Sequence, residues 1–92
     1  MWDGFEWDEI KASRNVEKHG VTFGEAASAF GDPFSLTSPD PDHCEEEQRF
    51  ILIGATTFRR IVVVVHSLRG ENVRIISARL ANVLERRAYD ET

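Results

Sequence analysis

The spacing of hydrophobic and polar residues predicts a strand and helices at the start of the chain and mostly strands after them. Phe5, Glu6 and Trp7 alternate apolar, polar, apolar, which favours a short strand. Asp8 is a suitable N-cap for a weakly amphipathic helix over residues 9–18. Gly20 stands where a left-handed residue ends a helix, so this first helix is bounded at both ends.

A second helix is predicted to begin after Thr22. Glu25 follows this N-cap residue at the spacing of a capping box, and apolar residues recur with helical spacing at positions 23, 26, 27 and 30. The sequence Gly31-Asp32-Pro33 ends the helix. Residues 35–48 contain prolines, consecutive acidic residues and no hydrophobic period, so we expect a loop there, with a short edge strand at residues 34–37.

The second half of the chain indicates three strands and a final helix. Strands are predicted over residues 49–56, 60–66 and 73–78, with turns at 57–59 and 68–72, and the helix over residues 81–89. The unbroken valines of the middle strand indicate burial on both faces. We therefore predict one domain over residues 1–92 with an α+β fold: a small antiparallel sheet, two N-terminal helices and one C-terminal helix.

Charge adds to this picture, because the two halves of the chain have opposite signs. Residues 1–48 hold 3 Lys/Arg and 12 Asp/Glu, a charge of −9, whereas residues 49–92 hold 8 and 4, a charge of +4; together they give the net charge of −5. All basic residues of the second half are arginines, whose planar guanidinium binds carboxylate or phosphate with two donors. This favours a positive surface for RNA or an acidic partner over an ordinary solvated surface.

Composition disfavours several other classes of protein. A single cysteine, Cys44, excludes an internal disulfide and fits a reducing cytoplasm, and its acidic neighbours disfavour a reactive thiolate. The longest apolar run, residues 61–65, is far shorter than the ~20 residues of a membrane span, and the acidic N-terminus lacks a signal-peptide pattern. Zinc-ligand spacings and glycine-rich phosphate loops are missing, so we expect a cytoplasmic protein with no metal, no cofactor and no membrane partner.

The segment 61–79 and its neighbours carry side chains suited to cleaving RNA without a metal. A base must take the 2′ proton, cations must hold the phosphate oxygens, and an acid must protonate the departing 5′-oxygen. Histidine and glutamate can transfer these protons, and arginine matches two phosphate oxygens at once. The candidate catalytic residues are His66, Arg69, Glu71, Arg74 and Arg79. The candidates for further RNA contacts are Arg49, Arg60 and Arg86.

Strand geometry restricts how these candidates can meet. Side chains alternate between the two faces of a strand, so Arg74 and Arg79 point to opposite faces if their strand is straight. They converge only if the chain bends near residues 77–78 or if Arg79 leaves the sheet. His66 closes the central strand beside the turn at residues 68–72, so we expect it to neighbour the two candidates in that turn.

The chain resembles the BrnT toxins of type II toxin–antitoxin modules in five ordered segments. These are FEWD at residues 5–8, KHGVTFGEA at 18–26, RFILIG at 49–54, VVHSLRGENVRIISAR at 64–79 and ERRAYDE at 85–91. The family's arginines match Arg69, Arg74 and Arg79, its histidine matches His66, and its acidic position after the turn glycine matches Glu71.

This resemblance implies a compact RelE-like ribonuclease fold and metal-independent RNA cleavage that inhibits translation. It also implies neutralisation by a BrnA-like antitoxin with a ribbon-helix-helix domain, so that DNA is contacted only indirectly, through the antitoxin. Within the chain, two positions depart from the family's pattern. Leu68 replaces a frequent acidic residue, and Leu80 replaces a usual Arg or Lys.

These departures leave two functions open. Loss of a phosphate-binding cation and of a possible base weakens transition-state stabilisation, since one such electrostatic donor is worth about 10²–10³ in rate. The chain is therefore predicted to be an endoribonuclease toxin whose activity is weakened at these two positions, or else a weakly catalytic or non-catalytic corepressor that binds the antitoxin.

Overall fold

The computed structural model describes residues 4–40 and 48–91, and its elements follow the predicted order. Within these ranges the chain forms β1 (Phe5–Glu6), α1 (Glu9–His19), α2 (Phe23–Ser28), β2 (Leu36–Pro39), β3 (Arg49–Ala55), β4 (Ile61–Arg69), β5 (Asn72–Leu80) and α3 (Val83–Asp90). A 3-10 turn at Ala29–Gly31 extends α2. The predicted α+β class is confirmed, whereas Cys44 and most of the acidic loop lie outside the described residues. No helix in the described part is long and apolar enough to cross a membrane.

The ends of α1 form as the sequence predicts. Asp8 Oδ1 accepts hydrogen bonds from the backbone N–H groups of Ile10 and Lys11, at 2.8 and 3.1 Å. Gly20 ends the helix with a φ of 71°, a left-handed conformation in which a side chain would be strained. These two residues therefore fix where α1 begins and ends.

The capping box predicted at the start of α2 is only half formed. Thr22 Oγ1 accepts from the N–H of Glu25 at 2.9 Å, but the Glu25 carboxylate does not return to Thr22 and binds Arg60 instead. A complete capping box occurs at α3, where Asn82 and Glu85 accept from each other's backbone N–H groups at 2.8 Å. The prediction for Glu25 was wrong because the partly exposed Arg60 competes for its carboxylate.

The sheet has the strand order β1-β5-β4-β3-β2 and is mixed, which corrects the prediction of an antiparallel sheet. The four strands β2 to β5 pair antiparallel, but β1 pairs parallel with β5 through Phe5↔Val73 and Glu6↔Arg74. The hairpin between β4 and β5 is tighter than the predicted turn of residues 68–72. Both strands run further, and Gly70, with a φ of 59°, supplies the left-handed turn conformation.

The two faces of the sheet differ in what covers them. One face, here called the core face, carries Val62, Val64 and His66 on β4 and Ile75 and Ala78 on β5. The opposite face, here called the outer face, carries Val63, Val65 and Ser67 on β4 and Arg74, Ser77 and Arg79 on β5. Residues of α2 pack on the core face, and Asn15 of α1 is tied to β5 by hydrogen bonds with the backbone of Ala78.

A β-bulge interrupts the pairing of β4 with β5. Val65 lies opposite Ser77 and His66 lies opposite Ile75, so Ile76 has no partner on β4. The extra residue shifts the alternation of β5 by one position. As a result, side chains on either side of Ile76 reach the outer face even though their sequence spacing is odd.

Candidate functional site

The bulge at Ile76 brings Arg74 and Arg79 to the same face of the sheet. Arg74 lies opposite Ser67 and Arg79 opposite Val63, and both β4 residues belong to the outer face. In a straight strand the five-residue spacing would separate the two guanidinium groups. The sequence required a bend near residues 77–78 for these arginines to meet. The structure provides a bulge at Ile76 instead, one to two residues earlier in the chain.

Arg74 is held by a carboxylate from the parallel edge strand. Its Nη1 donates to Oε2 of Glu6 at 3.0 Å, and Nδ2 of Asn72 donates to Oε1 of the same carboxylate at 3.2 Å. The hydrogen bonds from Asn72 and then Arg74 hold the pKa of Glu6 below its usual value. Both partners of the pair remain about one-third exposed, so an anion from solution can compete for Arg74.

Arg79 is held by a two-pronged ion pair with α3. Its Nη1 and Nη2 donate to Oε1 and Oε2 of Glu85, both at 2.7 Å. This pairing raises the pKa of Arg79 and lowers that of Glu85. Because Glu85 also caps α3 through Asn82, the first turn of the helix positions the guanidinium. Arg79 therefore has a fixed orientation on the outer face.

His66 points away from these arginines. Its side chain lies on the core face with only 4% exposure, in edge contact with Phe30 at 4.8 Å and stacked on Phe50 at 5.9 Å between ring centroids. Nδ1 lies 3.2 Å from the carbonyl oxygen of Val64. Burial lowers the pKa of the imidazole, which favours its neutral form. The imidazole therefore lies on the opposite face of the sheet from Arg74 and Arg79 and is almost inaccessible to water.

The remaining catalytic candidates lie at the tip of the β4–β5 hairpin. Arg69 ends β4 opposite Asn72, and Glu71 is exposed in the turn. Arg69 follows Ser67 by two positions on β4, so its side chain is on the same outer face as Arg74. The structure therefore associates Arg69 with Arg74 on the outer face and leaves Glu71 accessible to solvent.

The three arginines expected to contact RNA have different surroundings. Arg49 begins β3 opposite Ser67, on the outer face. Arg60 is engaged within the fold, because Nε and Nη2 donate to the buried Glu25 carboxylate at 2.8 and 2.5 Å and Nη2 also donates to the carbonyl of Gly20. Arg86 is exposed on α3. Only Arg49 adds to the surface formed by Arg74.

Both departures from the family pattern are at the surface. Leu68 is 60% exposed near the hairpin tip, and Leu80 is 46% exposed at the end of β5. Neither leucine joins the hydrophobic core cluster of the described residues. Their exposed apolar side chains occupy positions where a charged residue would meet solvent.

Three residues of this region escaped sequence reasoning: Glu6, Ser67 and Glu85. The pattern Asn82-x-x-Glu85 resembles a capping box and contained a signal for Glu85. Glu6 became relevant only through the parallel pairing of β1 with β5. Ser67 stands out because it is fully buried and its Oγ has no hydrogen-bond partner among the described residues.

Comparisons with known proteins agree on one family. Residues 7–85 match the family described as "Ribonuclease toxin, BrnT, of type II toxin-antitoxin system". The fold is similar to the crystal structure of the Brucella abortus ribonuclease toxin BrnT, with a TM-score of 0.62 and 25% sequence identity over 85% of this chain and 95% of that chain. Among curated proteins, none matches the sequence significantly.

Proposed function

Because the chain belongs to the BrnT family of ribonuclease toxins of type II toxin–antitoxin systems, we propose that it is an endoribonuclease acting through the outer face of its sheet. The observation that supports this most directly is the bulge at Ile76, which places Arg74 and Arg79 on that face. Two guanidinium groups on one surface can hold the oxygens of a phosphate as negative charge builds up on them.

The proposed reaction needs no metal and divides the work among a few side chains. Arg74 and Arg79 bind the scissile phosphate, and Arg69 supports it from the hairpin tip. Glu71 is the candidate base for the ribose 2′-hydroxyl because it is solvent-exposed beside Arg69. His66, the other candidate for proton transfer, contacts Phe30 and Phe50 on the opposite face of the sheet, so in this proposal water protonates the departing 5′-oxygen.

The ion pairs on the outer face hold the two guanidinium groups in position to bind a phosphate. Glu85 presents both carboxylate oxygens to Arg79 and Glu6 presents one to Arg74, so each guanidinium already binds oxygen atoms of the kind that a phosphate offers. Arg74 donates one hydrogen bond to Glu6, whereas Arg79 donates two to Glu85. Arg74 therefore exchanges its carboxylate for an RNA phosphate more easily than Arg79 does. We therefore propose that RNA first displaces Glu6 and then contacts Arg79 at its exposed edge.

Incubation of the purified protein with end-labelled RNA in the presence of EDTA tests this proposal. We expect fragments ending in 2′,3′-cyclic phosphate, and a loss of at least 10²–10³ in rate for Arg74→Ala/Arg79→Ala. Arg87→Ala, which removes an exposed arginine of α3, is the matched control and should retain the rate. Undiminished cleavage by the double variant would exclude a catalytic role for the two arginines.

A second candidate function is that of an antitoxin-binding corepressor with little or no catalysis. It is favoured by the carboxylates already bound to both arginines and by the exposed Val83 and Leu84 at the start of α3. The partner would be a BrnA-like ribbon-helix-helix antitoxin with an acidic segment, and DNA would be contacted only through it. This function predicts partner binding that weakens as salt rises and no RNA cleavage at any protein concentration.

A further inference from the structure

Ser67 lies in a row of four residues that crosses the outer face from β3 to β1, and the other three members are charged. The β3 residue opposite Ser67 is Arg49, the β5 residue opposite it is Arg74, and Arg74 in turn is opposite Glu6. Directly opposite residues of adjacent strands point to the same face of a sheet. The serine is therefore flanked on both sides by an arginine.

The spacing of this row suits a tetrahedral anion. Adjacent strands are about 4.8 Å apart, so the Cα atoms of Arg49 and Arg74 are separated by roughly 10 Å with Ser67 midway. Both side chains are long enough to reach over the short serine. Among the described residues, the guanidinium of Arg49 has no hydrogen-bond partner, and the residue is half-buried.

The buried state of Ser67 has no structural explanation within the fold. Its side chain is 0% exposed and its Oγ has no hydrogen-bond partner among the described residues. Burying a hydroxyl without a partner is unfavourable, and alanine or valine would suit a dry strand position better. An unpartnered donor between two arginines is instead suited to an acceptor that arrives with negative charge.

We infer that Ser67, Arg49 and Arg74 form a binding site for one phosphodiester group of single-stranded RNA. The Ser67 hydroxyl donates to one non-bridging oxygen, while the two guanidinium groups hold the phosphate from either side. This inference deepens the proposed ribonuclease function and rests on it for the identity of the ligand. It adds Ser67 as a residue that binds RNA.

A phosphate can reach Ser67 only if Arg74 exchanges its ion pair with Glu6 for contact with the phosphate. Because Ser67 has no exposed surface, the phosphate reaches its hydroxyl only when a neighbouring side chain moves. Arg74 is the neighbour able to do so, since its pair with Glu6 is partly exposed and rests on one hydrogen bond. The carboxylate of Glu6 then leaves the guanidinium, and the phosphate takes its place.

The inference is tested by measuring the binding of two probes to the full chain. Inorganic phosphate is titrated while backbone amide shifts are followed by NMR, and a 2′-O-methyl hexanucleotide, which lacks the attacking hydroxyl, is titrated by fluorescence anisotropy. For Ser67→Ala we expect affinity for the hexanucleotide to fall about tenfold, while the melting temperature stays equal or rises because an unpartnered buried hydroxyl is removed. Ser77→Ala, on the same face opposite Val65, is the matched control and should bind normally.

A second variant keeps the test independent of how Ser67→Ala folds. Arg49→Gln should weaken hexanucleotide binding and reduce the slope of log affinity against log salt by about 0.7, the contribution of one single-strand phosphate contact. Phosphate-induced shifts should centre on residues 49, 67 and 74 in the unmodified protein. Unchanged affinity in Ser67→Ala, or an unchanged salt slope in Arg49→Gln, would overturn the site.

Failure of this site is distinguishable from failure of the proposed function. If Ser67→Ala binds normally but Arg74→Ala/Arg79→Ala abolishes cleavage, the phosphate site is refuted and the ribonuclease stands. If phosphate and hexanucleotide binding depend on Ser67 but no RNA is cleaved, the site stands and the nuclease is refuted. Binding of an acidic peptide through Ser67 in preference to the hexanucleotide would overturn the assignment to RNA.

Discussion

The imidazole of His66 shows how its environment decides the chemistry of a residue. From the sequence it is a suitable acid or base, but on the core face it is enclosed by two phenylalanine rings and its pKa is lowered by burial. Residue type and distance along the chain indicated a catalytic group. Burial could not be read from the sequence, since it depends on which face the β4 residue takes and on Phe30, 36 positions away.

The buried His66 should make folding sensitive to mild acid. Its folded pKa lies below the ordinary 6.5, so below about pH 6.5 the unfolded state binds more protons and the free energy of unfolding falls as pH falls. The limiting slope for one group is about 1.4 kcal/mol per pH unit. In His66→Leu this slope should flatten, as measured by urea unfolding between pH 8 and pH 5.

A matched substitution separates this effect from other titrations. His19→Gln removes the half-buried histidine at the end of α1 and should keep the acid sensitivity. Glu25 and Glu85 affect stability at lower pH than His66 does. Their pKa values are lowered in the folded state, so the stabilisation that they contribute is lost only as pH falls below about 4.5. An unaltered slope in His66→Leu would show that another group titrates.

The carboxylate of Glu6 should restrain anion binding at Arg74. Glu6→Gln removes the negative charge while leaving a side chain that can accept from Asn72. Since the pair is exposed, we expect little change in stability but a several-fold gain in affinity for a 2′-O-methyl oligonucleotide. Glu9→Gln, which neutralises an exposed acid of α1, provides the comparison for the change in net charge. Equal gains in both variants would mean that Glu6 acts only through the overall charge.

At the scale of elements, periodicity and capping residues predicted most helices and strands. The features that they did not predict depend on how the strands pair. Asp8, Gly20 and the valine-rich β4 carry strong local signals; α1 formed within one residue of its predicted bounds, and β4 formed but continues three residues further than predicted. The parallel placement of β1 and the bulge at Ile76 arise from contacts between distant segments. No local pattern of residues specifies either feature, although both decide which arginines meet on the outer face.

The capping box of α3 should stabilise the helix and the orientation of Arg79 together. Asn82→Ala removes the acceptor for the N–H of Glu85 and should lower the free energy of unfolding by about 1 kcal/mol, whereas Asn82→Asp should preserve it. Chemical unfolding followed by far-UV circular dichroism measures the difference. If alanine and aspartate variants are equally stable, the cap contributes nothing to the fold.

At the scale of the whole molecule, the charge division between the two halves of the chain has a structural consequence. Glu6 and Glu25 of the acidic half pair with Arg74 and Arg60 of the arginine-rich half. A further hydrogen bond runs from the hydroxyl of Tyr89 to Asp32 and raises the pKa of that tyrosine to about 12. Part of the charge division that indicated an RNA surface therefore reflects contacts that hold the N-terminal and C-terminal segments together.

The buried member of these pairs should matter most for stability. The Glu25 side chain is 3% exposed, so Arg60→Met leaves a buried carboxylate that, among the described residues, keeps only Thr56 as a side-chain donor. We expect a loss of about 2–3 kcal/mol, reduced from the cost of a fully buried pair because Arg60 is partly exposed. Glu25→Gln/Arg60→Met should recover part of this loss in urea unfolding. An equally unstable double variant would contradict the role assigned to the unpaired charge.

The single unpaired residue in β5 also affects how related sequences should be compared. Removing Ile76 would restore strict alternation between Arg74 and Arg79 and, by counting along the strand, leave both on the side they now occupy. A relative whose two arginines are four residues apart on a straight strand would thus present the same surface as this chain, whose arginines are five residues apart on a bulged strand. Alignments that treat such a one-residue gap as disrupting the motif would miss an equivalent arrangement.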